Sequence, residues 1–364
     1  MNRLKSAKKV ITSFAYVIII TVGYKILTVK VPNSELKIEY KRQTSSDHRV
    51  TLDLPESLQA VRVCSQQERI FNLMEYCKKK WHQNDRPSSP NLAGRSLVDH
   101  RHRLTYCGIS KAGSTMLKSL ILEANGLNLT ELLKSDDPLY FVHLQKYIND
   151  NRVKLMSQIR KSEQKSILAN YSHILSVRHP LDRLWSYYRD KILYDDRSAG
   201  HHRRVASILK EFRAGIFASN KSLAGMRFPQ DILGPPTFHE FITWIHRHKT
   251  LEEHWIPMER VCHPCSIDWR AILRVETMPV DGEIMLKHLN RRRSKLPVRH
   301  SHDPNGMSHE YFSKKLNGYN TISRDVMEYF INLYKRDMQM FGYGWHNETN
   351  VAYCVINTDN GRCC

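Results

Sequence analysis

The sequence predicts an α/β domain with a P-loop-like first turn and a largely parallel sheet flanked by helices, preceded by an N-terminal transmembrane helix. Three observations carry this reading. Strand-forming runs alternate with helical ones from about residue 103 to residue 346. Two of the strand-to-helix turns concentrate Gly, Ser, Thr and basic residues. Near the start, Val10–Tyr24 carries no charge, and apolar character resumes after Lys25 through Val29.

That N-terminal stretch reads as a short membrane span at 10–29. Arg3, Lys5, Lys8 and Lys9 precede it with no acidic residue, which keeps a tail at 1–9 in the cytosol and sends the rest across as a type II signal anchor. No small-x-small cleavage site follows to suggest a removed signal peptide. Sequons at Asn128, Asn170, Asn220 and Asn347 are compatible with a lumenal body. Eight cysteines fit an oxidising compartment, with pairings that cannot be read from the sequence. Cys262 and Cys265 form a CHPC unit, but without a second pair at zinc-finger spacing disulfides are expected in place of a metal.

Residues 30–102 are polar and poorly periodic, with KKK at Lys78–Lys80, and read as a stem and lead-in. Leu104–Ile109 is a strand followed by the helical run MLKSLILEA. His173–Arg178 is a second strand, with Pro180 opening the helix LDRLWSYYRDKIL. Thr237 and Glu240 form a capping box before FITWIHRH. Ala271–Val275 reads as a further strand, and Val326, Phe330, Leu333 and Tyr334 mark a helix face. Residues 347–364 form a C-terminal tail.

The turn Gly108–Thr115 (GISKAGST) has the G-x-x-x-x-G spacing of a nucleotide-binding loop, but Lys111 sits inside it and no Lys follows Gly113. What remains is an anion nest: backbone N–H groups, a helix N-terminus, a lysine and two hydroxyls that can converge on one phosphate. In the second turn Arg178 stands at a strand tip and Ser186 on the helix that follows, suited to a second phosphate. A lumenal kinase or ATPase is disfavoured by the missing lysine and by the lack of an acidic magnesium motif.

Together, YCGISKAGSTMLKSL, SVRHPLDRLWSYYRDK, LEEHWIPMERVCHPCSIDW and LYKRDMQMFGY resemble the Golgi carbohydrate sulfotransferases of the chondroitin 4-sulfotransferase type, over roughly Arg103 to Tyr343. The chain departs from that pattern in the first loop. Ser110 stands for the usual Pro, Ser114 for Cys, and Met116 and Leu117 for Asn-Trp, while Lys111, Thr115 and Lys118 remain.

The resemblance implies a single-pass Golgi membrane protein that uses 3′-phosphoadenosine 5′-phosphosulfate as co-substrate, with no metal expected. It implies a 5′-phosphosulfate site of Ser110, Lys111, Ala112, Gly113, Ser114, Thr115 and Met116, and a 3′-phosphate site of Arg178 and Ser186. Lys111 would stabilise the leaving phosphate, and His143 first, or else His254, would take the acceptor proton, with Glu253 a further candidate. The acceptor expected is an acidic glycan, chondroitin first, then dermatan or a terminal glucuronyl glycan. A membrane lectin without catalysis is the rival reading.

The formal charge of +20, from 56 Lys plus Arg against 36 Asp plus Glu, then divides in two. Residues 1–30 hold six basic residues and no acid, which serves topology. The remaining +14 suits a phosphorylated donor and an acidic sugar chain, with no nucleic acid among the expected partners. Arg291, Arg292, Arg293 and Lys295 form one such basic cluster.

Overall fold

The computed structural model describes residues 65–81, 94–128, 152–193, 201–291 and 317–344, together with five short strands near the two ends of the chain. The chain divides into two compact units, Arg69–Ala352 and a smaller one formed by Met1–Glu68 with Tyr353–Cys364.

In the smaller unit, β1 (Val17–Val22), β2 (Tyr24–Val31) and β3 (Ser34–Glu39) form an antiparallel meander. Ile356–Asn357 pairs with Arg362–Cys363. A strand pair thus stands where a membrane-spanning helix was expected, and no helix among the described residues is long and apolar enough to cross a membrane. The local reason is composition: Val17, Ile18, Ile19, Ile20, Thr21 and Val22 are all β-branched and favour extended backbone.

The larger unit is built on a five-stranded sheet. Its strands are β4 (Leu97–Asp99), β5 (Leu104–Gly108), β6 (Val153–Leu155), β7 (Ser172–Val177) and β8 (Ala271–Arg274), in the order β6-β4-β5-β7-β8. β5, β7 and β8 are parallel neighbours, with Leu104 opposite Ser172 and Ile174 opposite Ala271. β4 runs antiparallel to both β5 and β6. The sheet is therefore mixed, with β4 alone running against the other four strands: β4 is joined to β5 by a tight turn, and a direct connection of that kind can only reverse the chain.

Side chains alternate across the sheet with period two. Tyr106, Ile174 and Leu273 face one core, which also holds Leu117 and Ile121 of α2 (Ser114–Ala124) and Met285 of α8 (Met278–His288). Cys107, Leu175 and Ile272 face the other. There they meet Leu73 of α1 (Gln66–Trp81), Ile167 of α3 (Lys161–Asn170) and Leu184 of α4 (Pro180–Tyr187). Ile208 of α5 (His201–Phe212), Phe241 of α6 (Phe238–His248), Met258 of α7 (Met258–Cys262) and Phe330 of α9 (Arg324–Phe341) complete this second core. Helices on both faces make an α/β sandwich.

The expected local signals are in place. Pro180 is the first residue of α4. Thr237 Oγ1 accepts from Glu240 N while Thr237 N donates to Glu240 Oε2, closing the capping box of α6. Val326, Phe330 and Tyr334 are buried along α9.

The stretch expected to be a stem contributes α1 and β4 to this body. Arg69 of α1 is buried and donates to Ile272 O at 2.8 Å and to Asp281 Oδ2 at 2.5 Å. Disulfides join Cys77 of α1 to Cys265, and Cys107 of β5 to Cys262. Both CHPC cysteines are thereby used in cross-links that pin the segment after α7 to the sheet and to α1. Asn128, Asn170 and Asn220 are exposed, as sequons require.

Candidate active site

Because β5, β7 and β8 are parallel, the turns that leave them lie at one edge, the carboxyl edge of the sheet, where α/β folds place ligands. The β5–α2 turn leaves little room for a side chain at its start. Gly108 is needed there because a Cβ would come within 2.8 Å of Tyr106 Cε1 and 3.2 Å of Ser114 Cβ. Lys111 at φ +66° and Gly113 at φ +74° both take left-handed backbone, an outlier for the lysine. α2 then begins with no side-chain cap and no acidic residue in its first turn. Its first N–H groups, from Ser114, Thr115 and Met116, have no carbonyl within the helix to bind and carry the positive end of the helix dipole. A loop closed to side chains, a helix start left without an anionic cap and a lysine in the turn fit a phosphate-type anion.

Lys111 Nζ pairs with Asp190 just beyond α4, in the π-turn Tyr188–Leu193. Burial pulls the ammonium below the usual lysine pKa, Asp190 opposes that fall, and Lys191 and Arg178 add to it. Arg178 reaches across from the β7–α4 turn and donates to Lys111 O at 3.3 Å, joining the two expected phosphate segments. Ser186 lies half-buried on α4, and no hydrogen bond ties it to the loop among the described residues.

Arg183, which sequence reasoning missed, knits the site together. Fully buried on α4, it donates to Ser110 O at 3.2 Å, to Ile256 O at 3.0 Å and to Glu253 O at 3.3 Å. One guanidinium thus fixes the β5–α2 turn against the EHW-x-P segment. Its only sequence signal is its place inside SVRHPLDRLWSYYRDK.

The EHW segment holds a second polar cluster. His254 Nδ1 donates to Glu252 Oε1 at 2.8 Å, which leaves Nε2 as the ring nitrogen able to accept a proton. Glu252 is also paired with Arg204 of α5. Burial would raise the Glu252 carboxyl, but His254 and Arg204 more than offset it and hold the group below the usual carboxylate range. Arg204 lies over the Trp255 ring at 5.0 Å, and the Tyr187 ring packs on His254 at 4.9 Å. Glu252 stands inside the motif LEEHW; Arg204, in a basic helix start, had no motif to mark it.

On the other flank, His179 N donates to Glu276 Oε1 at 2.8 Å and Tyr343 OH donates to Glu276 Oε2 at 3.1 Å. Burial raises the Glu276 carboxyl. This contact holds the Arg178 turn against the end of β8. His143, Arg292, Arg293 and Lys295 lie outside the described residues, and Arg291 pairs with Glu123 at 2.9 Å.

Residues 94–344, which contain every one of these site contacts, match the sulfotransferase family. The chain belongs to that family. Among its relatives, human (Homo sapiens) carbohydrate sulfotransferase 8 is 28% identical over 291 residues, 77% of this chain and 62% of that one. Rat (Rattus norvegicus) carbohydrate sulfotransferase 11 is 26% identical over 267 residues, 71% of this chain and 70% of that one. Zebrafish (Danio rerio) carbohydrate sulfotransferase 14 is 23% identical over 343 residues, 87% of this chain and 80% of that one. The chain thus spans about three-fifths of the length of the human relative. No solved structure matches it. As a sulfotransferase-family fold, the sandwich places its two anion-suited turns side by side at the carboxyl edge, with the EHW segment fastened to them by Arg183.

Proposed function

We propose that the chain transfers a sulfuryl group from 3′-phosphoadenosine 5′-phosphosulfate to a glycan hydroxyl, the 4-O of N-acetylgalactosamine in chondroitin being the first candidate. The observation that carries the reading is the Arg178–Lys111 contact, which couples two phosphate-suited turns on adjacent parallel strands. When bound, the donor supplies a sulfur whose bond to the 5′-phosphate oxygen breaks as the acceptor oxygen bonds to it.

The residues then have distinct tasks. The N–H groups and hydroxyls from Ser110, Gly113, Ser114, Thr115 and Met116 hold the 5′-phosphate, while Ala112 N, which donates to Ile109 O at 3.0 Å, shapes the turn instead, and Lys111 offsets the charge that grows on the phosphate. Arg178 and Ser186 hold the 3′-phosphate and fix the donor's orientation. His254 Nε2 takes the acceptor proton, with Glu252 fixing the tautomer from the other side of the ring. The positive charge outside residues 1–30 favours an acidic polymer as acceptor.

On charge and hydropathy alone, the basic tail and apolar run at 1–29 support a type II anchor with a lumenal, Golgi-resident body, a reading that requires the β1–β2 pair to give way to a helix in the bilayer. Protease protection in sealed microsomes tests the topology: the body should survive until detergent is added. Calorimetry with adenosine 3′,5′-bisphosphate tests the donor site. Binding that requires Arg178 and is not matched by ATP supports it, and equal binding of ATP overturns it.

A further inference from the structure

Beside the EHW segment, Arg95, just before β4, meets the Glu253 carboxylate, and Lys118 of α2 lies within its electrostatic reach. Glu253 Oε2 lies 3.1 Å from Arg95 Nη2, and Glu253 Oε1 lies 3.9 Å from His254 Nε2. Lys118 of α2 is the third group. Withdrawal from water brings its ammonium down to about 8, with Arg95 adding to the fall and Glu253 opposing it. Lys118 is half-buried and makes no hydrogen bond or ion pair among the described residues.

The position is set by the sheet. Leu97 pairs with Tyr106, and the antiparallel register carries Arg95, two residues earlier, to the level of Gly108 at the carboxyl edge. Lys118 lies one helical turn after Ser114 on the same face of α2. Arg95 therefore stands at the carboxyl edge beside Glu253, and Lys118 lies one turn into the helix that leaves the same edge, both on elements other than the Arg178 turn. Glu253 itself is 55% exposed, so moving its side chain into solvent costs little.

We propose that Arg95 and Lys118, beside His254, form a seat for a carboxylate of the acceptor glycan, a hexuronate, and that the Glu253 side chain, paired with Arg95, occupies this seat and yields it to the acceptor. This rests on the sulfotransferase reading above and extends it to the acceptor class. The occupant seen in the structure is itself a carboxylate, which matches the charge and shape of a uronate. A uronate there would set a neighbouring sugar hydroxyl beside His254 Nε2.

The test uses the full chain in detergent with two polymers, desulfated chondroitin and the same polymer with its carboxylates reduced to alcohols. Lys118→Met and Arg95→Ala should each raise KM for the first polymer about tenfold or more, the cost of one charge-assisted contact. KM for the reduced polymer and for the donor should stay unchanged. Glu253→Gln, a change at an exposed side chain that leaves the fold intact, should lower KM for the acidic polymer. Equal effects on both polymers, a raised donor KM, or no effect of any of the three variants would overturn the seat. If the wild type sulfates neither polymer yet binds adenosine 3′,5′-bisphosphate, the transfer reading fails separately. The seat is then read from retention on the two immobilised polymers: selective loss of retention on the acidic one by Lys118→Met supports it, and unchanged retention overturns it.

Discussion

His254 and Glu252 are joined by a 2.8 Å hydrogen bond from Nδ1 to Oε1, and Arg204 holds the same carboxylate. A proton acceptor in sulfuryl transfer needs its free ring nitrogen aimed and kept unprotonated at the start of the reaction, and this contact fixes which nitrogen that is. His254→Ala should reduce kcat about 10²- to 10⁴-fold with adenosine 3′,5′-bisphosphate affinity unchanged. Glu252→Gln can still accept one hydrogen bond but loses the charge, and should cost about tenfold in kcat with little change in donor KM. Steady-state kinetics with both substrates varied separates the two. A loss of donor affinity in either variant would place the pair in the donor site instead.

Lys111 must be protonated to offset charge on the leaving phosphate. Burial lowers its pKa and Asp190 opposes the fall, so removing the carboxylate lets the pKa drop further. Asp190→Asn should therefore move the alkaline limb of the kcat/KM profile to lower pH. A profile that does not move would show that Asp190 does not govern the lysine's charge.

Asp337 of α9 is buried and accepts from Met258 N at 2.6 Å and Glu259 N at 2.9 Å, capping α7 at its start. Burial nevertheless pushes its carboxyl up to about 6. With a folded pKa above the unfolded one, the unfolded chain gives up this proton first, and stability falls as pH rises from about 4 to about 6. The loss from this group is about 3 kcal/mol. Asp337→Asn removes the titration while keeping one acceptor. The melting temperature of the variant relative to wild type should then rise by about 5 °C between pH 4 and pH 7. A constant difference across that range would contradict the shift.

The Cys107–Cys262 and Cys77–Cys265 bonds close loops of 155 and 188 residues around the sheet. Replacing either pair by serine should cost about 2–4 kcal/mol, read as a lower urea midpoint. Activity should suffer more from loss of Cys107–Cys262, because that bond ties α7, just after the EHW segment, to the strand that leads into the Lys111 turn. Equal losses of activity from the two pairs would argue against that link.

The parts of the fold legible in the sequence were those with local causes. Alternation of strand and helix placed β5, α2, β7, α4 and β8, and Pro180 and the Thr237–Glu240 box marked helix starts correctly. The antiparallel β4 went unseen because three residues carry no periodicity, and α1 because its apolar face is thin between charged residues. The Lys111 and Arg178 turns were legible from glycine and charge placement. Arg183, Arg204 and Glu252 act through contacts spanning 48 to 73 residues of sequence, which no local pattern encodes. The disulfide pairing belongs with them, since only the fold brings Cys262 to Cys107.

Transfer of labelled sulfate from the phosphosulfate donor to desulfated chondroitin, compared between wild type and Lys111→Ala, tests the central claim most directly. The wild type should label the glycan, and Lys111→Ala should lose at least about 10²-fold in rate with an unchanged melting temperature. Full activity in Lys111→Ala, or a folded wild type that binds adenosine 3′,5′-bisphosphate yet sulfates no glycan offered, would contradict it.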